Sequence, residues 1–164
     1  MYSGSTTHSL DSKGRLVLPV KLREAFEAPY VLTRGFSGCI ALYPPAQWQT
    51  ILENLSRISD TDPKALALRR FYLGPAAEVA PDETGRVLIP KYLREKAGID
   101  GDVVVIGNGH VAEIWSLEKW NSYDAEELSD EKVIGFANEL VPEGMTNPLP
   151  GEAAPATPSI DTAP

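Results

Sequence analysis

The sequence predicts an α+β fold made of two pseudo-symmetric halves that share one core, with helices on the outside. Two observations lead there. First, Asp11-Ser12-Lys13-Gly14-Arg15-Leu16-Val17-Leu18-Pro19, followed by Val20-Lys21-Leu22-Arg23-Glu24, returns as Asp82-Glu83-Thr84-Gly85-Arg86-Val87-Leu88-Ile89-Pro90, followed by Lys91-Tyr92-Leu93-Arg94-Glu95. Asp, Gly, Arg, Pro, Leu, Arg and Glu all recur at one offset of 71 residues. Gly38 to Tyr43 and Trp48 are matched by Gly109 to Trp115 and Trp120 after a one-residue insertion. Self-similarity at a fixed period marks one structural unit used again. Second, each half alternates short β-type runs with short helical segments, and about 70 residues alone would bury too little apolar surface to be comfortably stable.

The elements follow in order. Residues 5–10 read as a strand leading into a turn over Asp11 to Gly14, in which Asp can accept from backbone N–H groups two residues on and Gly14 can take a positive φ. Arg15 opens the aliphatic run Leu16-Val17-Leu18, and Pro19 ends it, handing over to a helix in which Val20, Leu22 and Phe26 are apolar. Tyr30 to Arg34 and Cys39 to Tyr43 form strands around a turn at Gly35 to Gly38. Ala46 to Ile58 is an amphipathic helix whose stripe includes Trp48, read as core. Asp60 to Pro63 caps a second helix, Lys64 to Leu73, with Leu66, Leu68 and Phe71 or Tyr72 inward; its Lys64, Arg69 and Arg70 read as a solvated face.

The second half replays this plan: a strand at 77–80, a turn over Asp82 to Gly85, a strand Arg86 to Ile89, and a helix Lys91 to Ala97 stopped by Gly98. Strands 102–107 and 110–115 form a hairpin with Asn108-Gly109 as its turn signal. Ser116 is placed to cap the helix carrying Trp120, and Ser129 to open another over Asp130 to Leu140. From Pro142 to the end, proline, alanine, serine and threonine dominate, which predicts a flexible acidic tail over 142–164.

Composition narrows the function. No apolar run approaches the roughly 18 residues of a membrane span, and the N-terminus has no charged start followed by an apolar block, so a cytoplasmic protein is expected. The single cysteine, Cys39, reads as a small core hydrophobe, and with His8 and His110 it makes no metal-ligand spacing; no cofactor is expected. Net charge is −8, but residues 1–112 carry +1 and 113–164 carry −9, so the acidity belongs to the C-terminal third. A near-neutral body can still bind a polyanion if its basic groups converge on one face.

The doubled Asp-x-x-x-Arg, with the opening Met1-Tyr2-Ser3-Gly4 and His8-Ser9-Leu10-Asp11-Ser12-Lys13-Gly14-Arg15, resembles the bacterial MraZ family, whose domain pair belongs to the SpoVT/AbrB-like DNA-binding group. The resemblance covers about residues 1–140. Tyr2 stands where Phe is commoner. It implies two SpoVT/AbrB-like repeats of the swapped-hairpin β-barrel type, over 1–74 and 75–141. It further implies a sequence-specific transcriptional regulator, normally a repressor, that binds direct repeats in double-stranded DNA upstream of its own gene in the division and cell-wall cluster. A closed homo-oligomeric ring and a nucleoid-associated location belong to the same expectation.

Carried onto this sequence, Arg15 and Arg86 would read bases or phosphates, since arginine presents a planar donor fork that fits either. Asp11, Gly14, Asp82 and Gly85 would shape the turns. Lys13, Lys21, Arg23, Lys91, Arg94 and Lys96 would contact phosphates and fix the register. Taken without the resemblance, each Asp and Arg could equally form an ion pair across its own turn, worth about 0–1 kcal/mol when exposed. An enzyme is not expected: paired aspartic-protease turns place Gly two residues after Asp, whereas Gly14 and Gly85 come three after, and an arginine follows that would hold both carboxylates ionised. The alternative binding function is an AbrB-like antitoxin module that captures a protein partner through its tail, although Ile160 is the only large aliphatic after Leu149.

Overall fold

The computed structural model of the chain describes residues 1–142, and the expected tail lies outside them apart from Pro142. The first half contains β1 (Tyr2–Ser9), β2 (Arg15–Val17), α1 (Val20–Ala25), β3 (Tyr30–Arg34), a 3-10 turn (Phe36–Gly38), β4 (Ile40–Tyr43), α2 (Pro45–Ser56) and α3 (Pro63–Leu73). The second contains β5 (Ala77–Val79), β6 (Arg86–Leu88), α4 (Lys91–Ala97), β7 (Asp102–Gly109), β8 (Val111–Ser116), α5 (Leu117–Glu127) and α6 (Asp130–Leu140). The fold is α+β, with antiparallel strands throughout.

The strands fall into two hydrogen-bonded sets. Six form a sheet in the order β1-β7-β8-β4-β3-β5, and β2 pairs with β6 as a separate ribbon. Exchanging each strand for its counterpart in the other half (β1 with β5, β2 with β6, β3 with β7, β4 with β8) leaves this order unchanged, so the sequence repeat is realised as a pseudo-two-fold. Within a half only the hairpins β3–β4 and β7–β8 pair. Every other pairing crosses between halves: β1 with β7, β3 with β5, β4 with β8 and β2 with β6.

One core serves both halves. Leu16, Leu18, Leu22 and Leu32 from the first half, and Val87, Ile89, Leu93 and Val103 at the equivalent positions of the second, are all essentially inaccessible and belong to a single cluster. Leu16, Leu18, Val87 and Ile89 are the alternate residues of the two aliphatic runs, Leu22 and Leu93 come from the short helices α1 and α4, and Leu32 and Val103 from β3 and β7.

Most boundaries agree with the sequence pattern, and the departures have physical causes. β1 begins at Tyr2, earlier than expected, because β7 pairs along its whole length from Tyr2–Gly109 to Ser9–Asp102. The second hairpin turns on Gly109-His110, one residue later than its Asn-Gly signal, since Asn108 still pairs with Val111 and Gly109 takes the positive φ of 72°. Trp48 is half-buried and packs on Tyr43 at 5.8 Å between ring centroids, as Trp120 does on Trp115 at 5.5 Å. Leu68, expected inward, is exposed, while Ala65 is the buried residue of α3.

Arg69 corrects the reading of α3 as a solvated face. Its Nη2 donates to Leu55 O at 2.9 Å and to Ile58 O, and its Nη1 to Asp60 at 2.6 Å. A guanidinium thereby adds a charged donor to carbonyls at and just past the end of α2, where a cation is also favoured by the helix dipole. The other cap behaves as expected, Asp62 accepting from the Lys64 N–H at 2.8 Å.

The chain divides into two compact units, Met1 to Ser122 and Tyr123 onward. In the second, Lys132 and Glu127 form an ion pair at 3.1 Å. Ser129 occupies the N-cap position of α6 without a side-chain capping bond, and Ile134, Phe136 and Leu140 of that helix are exposed. Ser116, expected as a cap, is the buried last residue of β8 and immediately precedes α5.

Candidate functional site

Each of the two repeated turns is built around its own carboxylate. Asp11 Oδ1 accepts from the backbone N–H groups of Lys13 and Arg15, both at 2.9 Å, and Oδ2 from Arg15 Nε at 2.7 Å. Asp82 repeats this with Thr84 N–H at 2.9 Å, Arg86 N–H at 3.0 Å and Arg86 Nε at 2.8 Å, and adds the Thr84 hydroxyl at 2.8 Å. Both glycines sit at φ 79°, the left-handed region that closes the turn. Both carboxyls are held below the usual carboxylate range, chiefly by the backbone N–H of Arg15 or Arg86. The local ion pair foreseen as one reading of the residues is therefore formed in each turn.

That pairing leaves the business end of each arginine available. Nε of Arg15 and of Arg86 is committed to aspartate, and neither residue's Nη groups have a hydrogen-bond partner among the described residues. Both side chains remain about one-third accessible. An arginine braced in this manner loses less freedom on binding than a mobile one, and its two Nη groups still form a fork.

Arg23 and Arg94 exchange partners between the halves. Arg94 Nε donates to Ile89 O at 3.1 Å, and its guanidinium lies on Gly14, where a Cβ would come within 2.6 Å of Cζ. Arg23 Nε donates to Leu18 O at 3.2 Å and covers Gly85, where the same distance would be 2.8 Å. The backbone crosses in the same sense, Leu18 N–H to Gly85 O at 2.9 Å and Ile89 N–H to Gly14 O at 3.0 Å. The turn at Asp11 thus consists of Asp11, Gly14 and Arg15 from one half with Arg94 from the other, and the turn at Asp82 is its mirror in sequence. Sequence reasoning singled out all four arginines but not this exchange; the shared offset of 71 residues and the two-fold it implies were the available signal.

The lysines are less uniform. Lys13 and Lys21 are exposed beside the first turn and on α1. Lys91 is exposed and 3.6 Å from Glu95 one helical turn on, a contact of little energetic weight. Lys96 lines a cavity of ≈ 150 Å³ with Arg34, Phe36 and Phe71. Cys39 is buried, and burial followed by the nearby Glu113 charge pushes its thiol up to about 12, in keeping with a packing role. No group of three or more metal-ligating side chains occurs among the described residues, and no helix among them is long and apolar enough to cross a membrane.

Comparison with known proteins completes the description. A family model described as "MraZ protein, putative antitoxin-like" matches residues 1–71 and 72–134. The transcriptional regulator MraZ of Heliobacterium modesticaldum is 40% identical over 142 residues, covering 83% of this chain and 99% of its own length. The Syntrophomonas wolfei protein of the same name is 42% identical over 145 residues, covering 88% and 100%. That of Thermomicrobium roseum is 44% identical over 131 residues, covering 80% and 92%.

Proposed function

Because this chain belongs to the MraZ family, we propose that it is a transcription regulator that binds double-stranded DNA sequence-specifically through the two Asp-Arg turns. The observation that carries the proposal is the pair of aspartate-braced arginines, Arg15 and Arg86, held on one two-stranded ribbon with their Nη groups unengaged. A two-stranded ribbon fits the major groove, and an Nη fork fits either the O6/N7 edge of guanine or a phosphate. Arg23 and Arg94 brace the turns from the opposite half and add positive charge beside them, while Lys13, Lys21 and Lys91 supply phosphate contacts that fix the register. The reaction class is binding, not catalysis.

The finer assignments belong to the same reading. Residues 1–74 and 75–141 are two SpoVT/AbrB-like repeats of the swapped-hairpin type, supported by the exchange-symmetric strand order. The target is a set of direct repeats upstream of the protein's own gene in the division and cell-wall cluster, bound as a repressor in the cytoplasm at the nucleoid. A single ribbon offers few base contacts, so several copies in a closed ring would gain avidity by engaging several repeats.

The test is binding of the purified protein to DNA from upstream of its own gene against a scrambled duplex, over a salt series, with Arg15→Ala/Arg86→Ala alongside. Each lost bidentate contact should weaken specific binding by about 1–3 kcal/mol, and the logarithmic salt slope should report the phosphates neutralised. A folded protein with no preference for the upstream duplex at any salt would sink the DNA reading and leave a protein partner as the next target.

A further inference from the structure

The ribbon that carries the two arginines also carries two aliphatic side chains with no role in the core. In the β2–β6 pairing Arg15 stands opposite Leu88, Arg86 opposite Val17, and Leu16 opposite Val87 at the centre. Side chains alternate across a strand, so Arg15, Val17, Arg86 and Leu88 occupy one face, and Leu16 and Val87 the other. Burial follows that division: Leu16 and Val87 are 0% exposed, whereas Val17 is 45% and Leu88 55% exposed. The ribbon's contribution to the core is complete without the outer pair. Each outer aliphatic is the direct cross-strand neighbour of an arginine whose Nη groups are unengaged.

We propose that Val17 and Leu88 are specificity-determining residues that read the 5-methyl group of thymine next to a base held by the arginine opposite. This rests on the DNA-binding reading above and goes beyond it by naming the base feature recognised. The thymine methyl is the one apolar feature on the major-groove edge, and apolar side chains are its natural partners. A cytosine at that place would present an amino donor to an aliphatic surface, where the donor would lose water without gaining a hydrogen bond. Directly opposed residues in an antiparallel pair have Cβ atoms about 4.5–5.5 Å apart, a spacing on the order of one base step. An arginine and its cross-strand aliphatic can thereby address neighbouring bases, and the pseudo-two-fold supplies this combination twice.

The experiment uses the full-length protein. A bound duplex is first selected from a random library, and each of its thymines is then replaced singly by deoxyuridine, which pairs identically but lacks the methyl. Affinities are measured for the unaltered protein and for Val17→Ala/Leu88→Ala, whose substituted side chains lie outside the core. Loss of a buried methyl should weaken binding about fourfold at one or more thymines, and the double variant should bind the thymine duplex more weakly while being indifferent to deoxyuridine. The proposal is overturned if no thymine is sensitive in the unaltered protein, or if the variant stays equally sensitive. A variant that keeps its sensitivity but changes its assembly state also overturns it, and assigns the aliphatics to contact between copies. Failure to select any duplex overturns the DNA reading itself, which separates that outcome from a selected duplex that ignores the methyl.

Discussion

At the scale of single residues, the site depends on two glycines that are held from both sides. Gly14 has φ 79° and the Arg94 guanidinium lies where its Cβ would be. Gly14→Ala should lower stability by about 1–2 kcal/mol through the left-handed backbone alone, and by more through displacement of Arg94. In an Arg94→Ala background the same substitution should be milder by about 0.5 kcal/mol or more, a coupling that a denaturant double-mutant cycle would measure. The turn carboxylates set a pH dependence. Their pKa values in the folded chain lie below the unfolded value of 3.8, so their contribution is present above that pH and fades as pH falls through the folded values. Denaturation midpoints between pH 7 and 2 should therefore drop in the acid range, and Asp11→Asn/Asp82→Asn should be less stable at neutral pH with a shallower acid loss. Much of this was legible in the sequence, because Asp, Gly and Arg at fixed short spacing close a local turn by hydrogen bonds that need nothing distant. The partners of Arg23 and Arg94 were not, since each lies more than sixty residues away in the chain from the turn it covers.

At the scale of elements, the connection between α2 and α3 rests on one side chain. Arg69 donates to Leu55 O, Ile58 O and Asp60, closing the end of α2 from the middle of α3. Arg69→Met keeps the apolar stem and removes the donors, and should destabilise by about 1–3 kcal/mol because the carbonyls it serves lose a charged partner. Thermal or denaturant unfolding would read this, and a neutral outcome would mean that water replaces the guanidinium without penalty. The helices themselves were recoverable from apolar spacing and from Pro45 and Pro63 at their starts. Arg69 was misjudged because helical periodicity reports which face a residue occupies, not whether a neighbouring helix ends above it. Leu68 shows the same limit: the buried residue of α3 is small Ala65, and Leu68 one turn on stays exposed.

At the scale of the whole molecule, the halves are inseparable as folding units. A chain of residues 1–74 would keep only the β3–β4 pairing, and 75–141 only β7–β8. Neither fragment alone should show a cooperative unfolding transition, and mixing them should restore one together with the near-ultraviolet signal of Trp115 in its packed setting; independent folding of either fragment would contradict the interleaved pairing. The repeat made the pseudo-two-fold foreseeable, but which strand lies beside which is a long-range property that no local pattern encodes. The interleaving also imposes a schedule on synthesis. Ser9, at the end of β1, pairs with Asp102, 93 residues later, so at about 5–20 residues per second the ribosome delivers the partner strand only some 5–20 seconds after β1 has been made. Throughout that interval the nascent N-terminal strand has an open hydrogen-bonding edge, so the first half cannot complete its own pairing until β7 has been made.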